Sequence, residues 1–249
     1  MPESFSQTGA SQLDERSFRS TRWSVLRAAQ GSAAERHTAL EVLCRSYWMP
    51  VYGYVRRRGH SIPDAEDLAQ TFFADLLEGD FFDQPDPAKG RFRGYLVGAL
   101  KHFLSHDFEK RQTQKRGGGA LFITWSEGLA EERWLAFDQP QLDPATAFDS
   151  AWILTLLDHA LELLASEQRA ARKEQAFMLL KPFLNDRPDP GEYDAVASTL
   201  GCTRANVSLL VHRLQQRYGE IVRMEVAATV NDPAEVKDEM EYLFQILRR

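Results

Sequence analysis

The sequence predicts an all-α protein built from two helical domains. Apolar residues recur at three- and four-residue spacing along most of the chain, and no segment of strand length clearly alternates apolar with polar residues. A run of three glycines and an acidic stretch without periodicity separate two helical blocks. The chain has 249 residues, of which 43% are hydrophobic, so each block is long enough to enclose a core of its own.

Periodicity in the first block predicts four helices, over residues 21–29, 33–58, 61–78 and 92–111. The second of them contains Pro50, which lacks a backbone donor and predicts a kink or a break. The third begins at Ser61, a residue type that caps helices, and carries acids in its first turn, where the helix dipole favours negative charge. A loop rich in Asp, Pro and Gly, residues 79–90, precedes the fourth helix.

The segment between the blocks begins with the glycines of residues 117–119 and then carries five acids against Arg133. It lacks helical periodicity, which predicts an acidic flexible linker.

The second block begins near Ala145 with a core stripe, formed by Phe148, Trp152, Leu156, Leu157, Ala160, Leu161 and Leu164. A turn over residues 185–191 follows, and then come two helices, over residues 193–200 and 204–226, separated by Gly201-Cys202-Thr203. A last helix is predicted from Asp232 to the end of the chain, with its acids early and its arginines late.

These elements divide the chain into five predicted segments. They are a polar tail over 1–20, a first domain over 21–116, the linker over 117–144, a second domain over 145–228 and a helical extension over 229–249.

The composition favours a cytoplasmic location. No apolar run approaches the length of a membrane span, and the first 20 residues are polar rather than apolar as in a signal peptide. Cys44 and Cys202 lie far apart without CxxC spacing, so we expect two buried apolar fillers rather than a disulfide or a zinc site.

Charged residues form two blocks of opposite sign, although the net charge is only −6. Residues 64–86 contain eight acids and no base, whereas residues 91–116 contain seven Lys or Arg against Asp107 and Glu109. This distribution indicates two partners of opposite charge rather than one general affinity for nucleic acid.

Residues 193–218, YDAVASTLGCTRANVSLLVHRLQQRY, have the spacing of a helix-turn-helix. In the second helix Val207, Leu210, Val211 and Leu214 would pack inward. The outward set, of residue types that meet phosphates and major-groove base edges, is Arg204, Asn206, Ser208, Leu209, His212, Arg213 and Arg217. From this segment alone, an ordinary helical hairpin with a solvated face remains the alternative.

Residues 89–116 alternate basic and aromatic side chains, a pattern typical of binding to single-stranded nucleic acid. The alternative is that the aromatic rings belong to the core. We favour the core for Phe103, which shares a helix face with Leu96, Ala99 and Leu100. For Phe92, which lies between two arginines, we expect a position outside the core.

Catalytic and metal-binding patterns find little support, so we expect no enzyme, no cofactor and no small-molecule substrate. His102 and His106 are four residues apart, but no carboxylate or cysteine at motif spacing joins them, and a polar helix face beside DNA is favoured. The glycines of residues 117–119 lack the Lys-Ser/Thr of a phosphate-binding loop.

Taken together, these segments resemble bacterial RNA polymerase sigma factors of the extracytoplasmic-function type. Residues 52–78, YGYVRRRGHSIPDAEDLAQTFFADLLE, are similar to sigma regions 2.1 and 2.2, with their acidic DAEDLxQ-like helix. Residues 90–116 resemble regions 2.3 and 2.4, and residues 193–218 resemble region 4.2. The resemblance covers about two thirds of the chain, in the family's order, and implies a non-enzymatic subunit that directs polymerase core to promoters.

The resemblance implies three sets of site residues. The clamp helices of the largest polymerase subunit would be bound by Asp64, Glu66, Asp67, Leu68, Gln70 and Phe73. The minus-ten element would be read and opened by Arg91, Phe92, Arg93, Tyr95, Lys101, His102, His106, Lys110 and Arg111. Minus-thirty-five bases would be faced by Ser208, Leu209, His212 and Arg213, with Arg204, Asn206 and Arg217 near phosphates.

Partners implied by the resemblance are polymerase core and promoter DNA, and it leaves room for an anti-sigma factor or another regulator. The acidic linker would thread toward the polymerase active site and the RNA exit path. The recognition helix carries few bases, so most promoter affinity would come from tethering to polymerase. The competing interpretation is a sigma-like helix-turn-helix regulator that acts without polymerase core.

The C-terminal extension is acidic and has an apolar stripe, formed by Val236, Met240, Leu243, Phe244 and Leu247. We expect it to pack on the second domain, where it would either screen the DNA-binding face or simply complete the core.

Overall fold

The computed structural model describes residues 25, 31–78, 91–113, 131–132, 134–135, 141–184, 188–230 and 232–248. This part of the chain is helical and contains no strand, so the all-α prediction is confirmed for it. The helices are α1 (Ala33–Arg57), α2 (Ile62–Glu78), α3 (Phe92–Thr113), α4 (Pro144–Ala170), α5 (Glu174–Leu180), α6 (Glu192–Leu200), α7 (Arg204–Ala227) and α8 (Val236–Leu247). Short 3₁₀ helices cover Lys181–Leu184 and Pro233–Glu235.

The predicted helices agree with the observed ones to within a few residues, and their ends have local causes. Ser32 begins α1 with a capping box: its hydroxyl accepts from the backbone N–H of Glu35, whose carboxylate accepts from the backbone N–H of Ser32. Ser61 caps α2 by accepting from the backbone N–H of Asp64 at 3.3 Å. Pro50 lies inside α1, which continues through it rather than breaking.

The described residues form two compact units. The first comprises residues up to Thr155 together with Val226–Arg249, and the second comprises Leu156–Glu225. These bounds differ from the expected domains, because the first half of α4 and the whole of α8 group with the first unit. We had expected the helical extension to pack on the second domain. It groups with the first unit instead.

The core of the first unit is aromatic. Tyr47, Trp48 and Tyr52 of α1 are buried, and the Tyr47 ring packs on Phe92 of α3. Trp48 stacks on Phe73 with 6.1 Å between ring centroids, and Phe72 meets Phe103 edge-on at 5.6 Å. Phe103 is thus a core residue, as its helix face predicts.

Phe92 is also a core residue, which corrects the expectation that it lies outside. Its side chain is fully buried, and its ring packs 5.4 Å from Tyr47. The position of Phe92 between two arginines did not predict its exposure, because Arg93 is itself buried beside Phe92.

The second unit is built from the end of α4 together with α5, α6 and α7. Apolar residues of each helix meet in its core: Ala160, Leu164, Phe177, Leu180, Phe183, Ala197, Val207, Val211, Leu214 and Ile221. Helix α5 and the 3₁₀ turn after it were not predicted from the sequence. Their Phe177, Leu180 and Phe183 are buried, and Phe183 packs edge-on against Tyr193 at 5.1 Å.

Part of the expected flexible linker is helical. Residues 131–132 and 134–135 lie in a helical turn whose Glu131 accepts from Arg56 Nη2 at 2.7 Å and from the Tyr52 hydroxyl. The polar tail over 1–20, the loop over 79–90 and the glycines of 117–119 lie outside the described residues. Of the helix predicted over 21–29, Val25 is described, and it is helical and buried.

Candidate functional site

The acidic helix α2 divides its predicted site residues between core and surface. Leu68 and Phe73 are each 1% exposed, so they anchor the helix rather than offer a docking surface. Asp67 is exposed, and Asp64, Glu66 and Gln70 are partly exposed. The result is a helix face that carries carboxylates and has no basic residue of its own, suited to a basic partner.

The turn between α6 and α7 has the geometry that a helix-turn-helix requires. Gly201 adopts the left-handed region with φ 63°, and the N–H of Cys202 donates to Ala197 O at 3.0 Å, which is the Schellman pattern. Thr203 then starts α7, because its hydroxyl accepts from the backbone N–H of Asn206 at 3.2 Å. Cys202, expected to be buried, is half-buried in this turn, whereas Cys44 is buried.

The outward face of α7 is largely as the sequence predicts. Val207, Val211 and Leu214 are buried, and Leu210 is half-buried. The exposed members of the predicted set are Arg204, Asn206, Ser208, Leu209, His212 and Arg213. Six of the seven residues proposed to face DNA therefore present themselves to solvent.

Arg217 is the exception on this face. Its guanidinium donates to both carboxylate oxygens of Glu167, at 2.6 and 2.9 Å, and to Glu220 at 2.8 Å. The hydrogen bonds that Arg217 donates to Glu167, and then the one it donates to Glu220, raise the pKa of Arg217. Arg217 thus holds α7 to α4 within the second unit, and a phosphate would compete with two carboxylates for it.

The predicted minus-ten residues of α3 are placed unevenly. Phe92 and Arg93 are buried, and Arg91 and Tyr95 are half-buried. Lys101 and His102 are exposed, and His106 is half-buried, with 6.2 Å between the two imidazole rings. Lys110 and Arg111 belong to the last turns of α3, of which the backbone alone is described.

Arg93 is the centre of a buried ion cluster in the first unit. Its guanidinium donates to Asp149 of α4 and to Glu239 of α8, and it lies 4.5 Å from the Trp152 ring and 5.5 Å from the Tyr242 ring. Burial alone would lower the pKa of Arg93, but the two carboxylates raise it above its ordinary value. A cation so deeply buried needs these partners, since an unpaired charge in a core is costly.

Arg91 extends this cluster toward the surface. Its guanidinium reaches Glu239 Oε2 at 2.5 Å, and its side chain is 38% exposed while that of Glu239 is 1% exposed. The Tyr242 hydroxyl donates to Asp149 Oδ2 at 2.6 Å, and burial together with this carboxylate raises the pKa of Tyr242 to about 12. We call Arg91, Arg93, Asp149, Glu239 and Tyr242 the arginine clasp.

Sequence reasoning missed Asp149, Glu239 and Tyr242. One signal existed: Glu239 lies three residues after Val236 and four before Leu243, so it occupies an inward position on the apolar side of α8. An acid at such a position predicts a buried basic partner, although not which one.

A second cluster holds the helical turn that contains Glu131 and Trp134 on α1. Arg56 donates to both oxygens of Glu131 and lies 4.8 Å from the Trp134 ring. This hydrogen bonding holds the pKa of Glu131 below its ordinary value. Gly53 leaves room for the ring, because a Cβ there would lie 3.1 Å from Trp134 Cδ1.

No protein-family model, curated protein or solved structure matches the chain. The described residues contain no group of three or more His, Cys, Asp or Glu side chains placed to hold a metal ion. Within the same residues, every helix is too short or too polar to cross a membrane.

Proposed function

We propose that this chain is a sigma factor of the extracytoplasmic-function type, which binds RNA polymerase core and directs it to promoters. In this proposal α2 binds the clamp helices of the largest subunit, α3 acts at the minus-ten element, and α7 reads the minus-thirty-five element. The protein is not an enzyme in this assignment and works in the cytoplasm.

The observation that carries the proposal is the way α2 presents its charge. Apolar residues of this helix, including Leu68 and Phe73, are buried in the first unit. Of the DAEDL acids, Asp67 is exposed, and Asp64 and Glu66 are partly exposed. Residues 64–86 contain eight acids and no base. An acidic surface of this kind favours a basic protein partner and repels nucleic acid. In this proposal, α2 therefore binds protein, whereas α7 binds DNA.

The geometry of α6 and α7 supports the DNA-binding half of the proposal. Six predicted residues are exposed along α7, and the helix carries few basic residues there. Arg204 and Arg213 are its two exposed arginines among those predicted to face DNA. With so few phosphate contacts, the affinity for free duplex should be low and should depend only weakly on salt, and tethering to polymerase would supply the rest.

Binding to purified polymerase core tests the proposal through Asp67→Lys. Asp67 is exposed, and reversing its charge sets like charges against a basic partner, which costs several kcal/mol across an interface. We expect core affinity to fall by about tenfold or more. Asp64 is less suitable, because its carboxylate accepts from the Ser61 hydroxyl at 2.6 Å and its N–H is part of the cap.

The matched control is Glu41→Lys, which makes the same charge change on an exposed residue of α1. Core affinity should stay near wild type in this variant. Equal affinity of wild type, Asp67→Lys and Glu41→Lys would remove α2 as the docking helix. Sequence-selective DNA binding without any affinity for core would instead favour a stand-alone helix-turn-helix regulator.

A further inference from the structure

Helix α8 packs on the first unit through one buried charged residue and two buried apolar residues. Leu243, Ile246 and Glu239 are the residues of α8 that are buried, and Glu239 meets both Arg91 and Arg93. The apolar residues Phe244 and Leu247 remain 52% and 44% exposed on the same helix. The attachment thus combines a small apolar contact with one buried carboxylate.

The two arginines that Glu239 binds are those that begin the proposed minus-ten segment. Arg91 has Glu239 as its ion-pair partner, and Arg93 is enclosed by Asp149, Glu239, Trp152 and Tyr242. A DNA phosphate would pair with the same guanidinium groups that the carboxylate of Glu239 now pairs with. DNA and α8 therefore cannot both bind these two side chains.

We propose that α8 is a built-in competitor of DNA, in which Glu239 takes the place of a phosphate on Arg91 and Arg93 until nucleic acid displaces it. This inference rests on the proposed function, because it assigns a regulation to the same minus-ten segment. The arginine clasp is the closed state, and release of α8 opens the basic segment.

The chemistry of the contact favours release over permanent packing. A buried ion cluster contributes less to stability than well-packed apolar residues of similar volume. Its polar partners also regain hydration when α8 departs, and Arg91 is already partly exposed. An apolar contact in the same place would hold α8 more firmly and would offer DNA nothing to compete with.

The test measures binding of the full-length chain to a short fluorescein-labelled single-stranded oligonucleotide of mixed sequence, without polymerase. Glu239→Gln keeps the size of the side chain but removes the competing charge, so affinity should rise at least about fivefold, as expected for a coupled equilibrium. Tyr242→Phe removes the hydroxyl that donates to Asp149 and should produce a smaller rise.

Glu241→Gln is the matched control, because it makes the same change on the same helix at an exposed residue that pairs with Lys237 at 3.8 Å. Its affinity should equal that of wild type. In wild type, amide hydrogen exchange of residues 236–247 should accelerate when the oligonucleotide is bound. This second readout applies even where Glu239→Gln unfolds, as a thermal scan would reveal.

Two results overturn the competitor proposal. One is equal oligonucleotide affinity in Tyr242→Phe, Glu241→Gln and every folded Glu239→Gln preparation. The other is unchanged exchange of α8 at a saturating oligonucleotide concentration. Binding of wild type to polymerase core is measured in parallel and does not depend on either result. Absence of core binding would contradict the sigma assignment, but it would not contradict the competition between α8 and DNA.

Discussion

The two segments proposed to bind DNA differ in how they present their side chains. On α7 the predicted residues are exposed, apart from Arg217, and the inward apolar residues match the helical period. On α3 the first predicted residues are held inside the first unit, with Phe92 fully buried and Arg93 4% exposed. In the proposed function, the first segment would bind DNA as it stands, and the second would first have to be uncovered.

This difference follows from where the partners lie in the sequence. The face of α7 is set by residues three and four positions apart, which periodicity reveals. The state of Arg93 is set by Asp149 and Glu239, which lie 56 and 146 positions away. The local sequence pattern therefore predicts which face of α7 is exposed, but it does not predict the partners in the arginine clasp.

The largest effect is expected at Phe92. Phe92→Ala removes a fully buried ring and should lower the free energy of unfolding by about 3–5 kcal/mol. Leu209→Ala is the control on α7, where the side chain is 45% exposed, and it should change stability by no more than about 0.5 kcal/mol. Urea unfolding of both variants makes the measurement, and similar small losses in the two would show that Phe92 is not core.

Arg93→Met should cost about 3 kcal/mol or more, because it removes the buried cation that pairs with Asp149 and leaves Glu239 with Arg91 alone. Arg213→Met, on the exposed face of α7, should stay within about 0.5 kcal/mol of wild type. Thermal unfolding of the two variants compares a buried arginine with an exposed one. A stable Arg93→Met protein would mean that the clasp contributes nothing to the first unit.

Binding to promoter duplex compares an exposed arginine of α7 with one that is already paired. In a complex with polymerase core, Arg213→Ala should weaken binding to the minus-thirty-five element by about 1–3 kcal/mol. Arg217→Ala should weaken it less, since Arg217 already donates to Glu167 and Glu220. Equal losses in the two variants would indicate that Arg217 exchanges its carboxylate partners for phosphate.

The turn of the helix-turn-helix gives a smaller effect. Gly201→Ala places a side chain at φ 63° and should cost about 1–2 kcal/mol. Gly219→Ala is the control, because Gly219 lies within α7 and a Cβ there meets no atom within 4 Å. That control should gain up to about 1 kcal/mol. Denaturant unfolding checks both, and a neutral Gly201→Ala would remove the left-handed turn from the account.

The smallest effect is expected at the helical turn that contains Glu131 and Trp134. The partners of these two residues, like those of Arg93, lie far away in sequence. Gly53→Ala puts a Cβ 3.1 Å from Trp134 Cδ1, so the ring must shift and amide exchange of this turn should accelerate. Gly98→Ala, which meets no atom within 4 Å on α3, should leave that exchange unchanged. Identical exchange in both variants would contradict the packing of Trp134 on α1.

The helices were largely predictable because residues at their own ends, such as capping residues, mark where they begin and end. Ser32, Ser61 and Thr203 accept from backbone donors at the starts of α1, α2 and α7, and Gly201 ends α6. Helix α5 was missed because its seven residues give too short a period to detect. The unit bounds were missed because they depend on contacts of α4 and α8 with α3, which no local pattern encodes.

The candidate site was predictable where charge is presented outward. The polar residues of α7, apart from Arg217, lie on the face that the sequence indicates, and Asp67 of α2 is exposed. Leu68 and Phe73, which the resemblance assigned to polymerase binding, are buried. Phe92, Arg93 and the helical turn at Glu131 were not predictable, because basic and aromatic residues can form either a nucleic-acid surface or a paired core. The choice between these two depends on whether carboxylates from other elements reach them.

Transcription by purified polymerase core on a library of genomic fragments, with and without this chain, tests the central claim most directly. The account predicts transcripts that depend on the chain and whose start points share common upstream minus-ten and minus-thirty-five elements, with fewer of them in Asp67→Lys and Arg213→Ala. Transcripts unaffected by the chain, from a core that does not bind it, would contradict the sigma assignment.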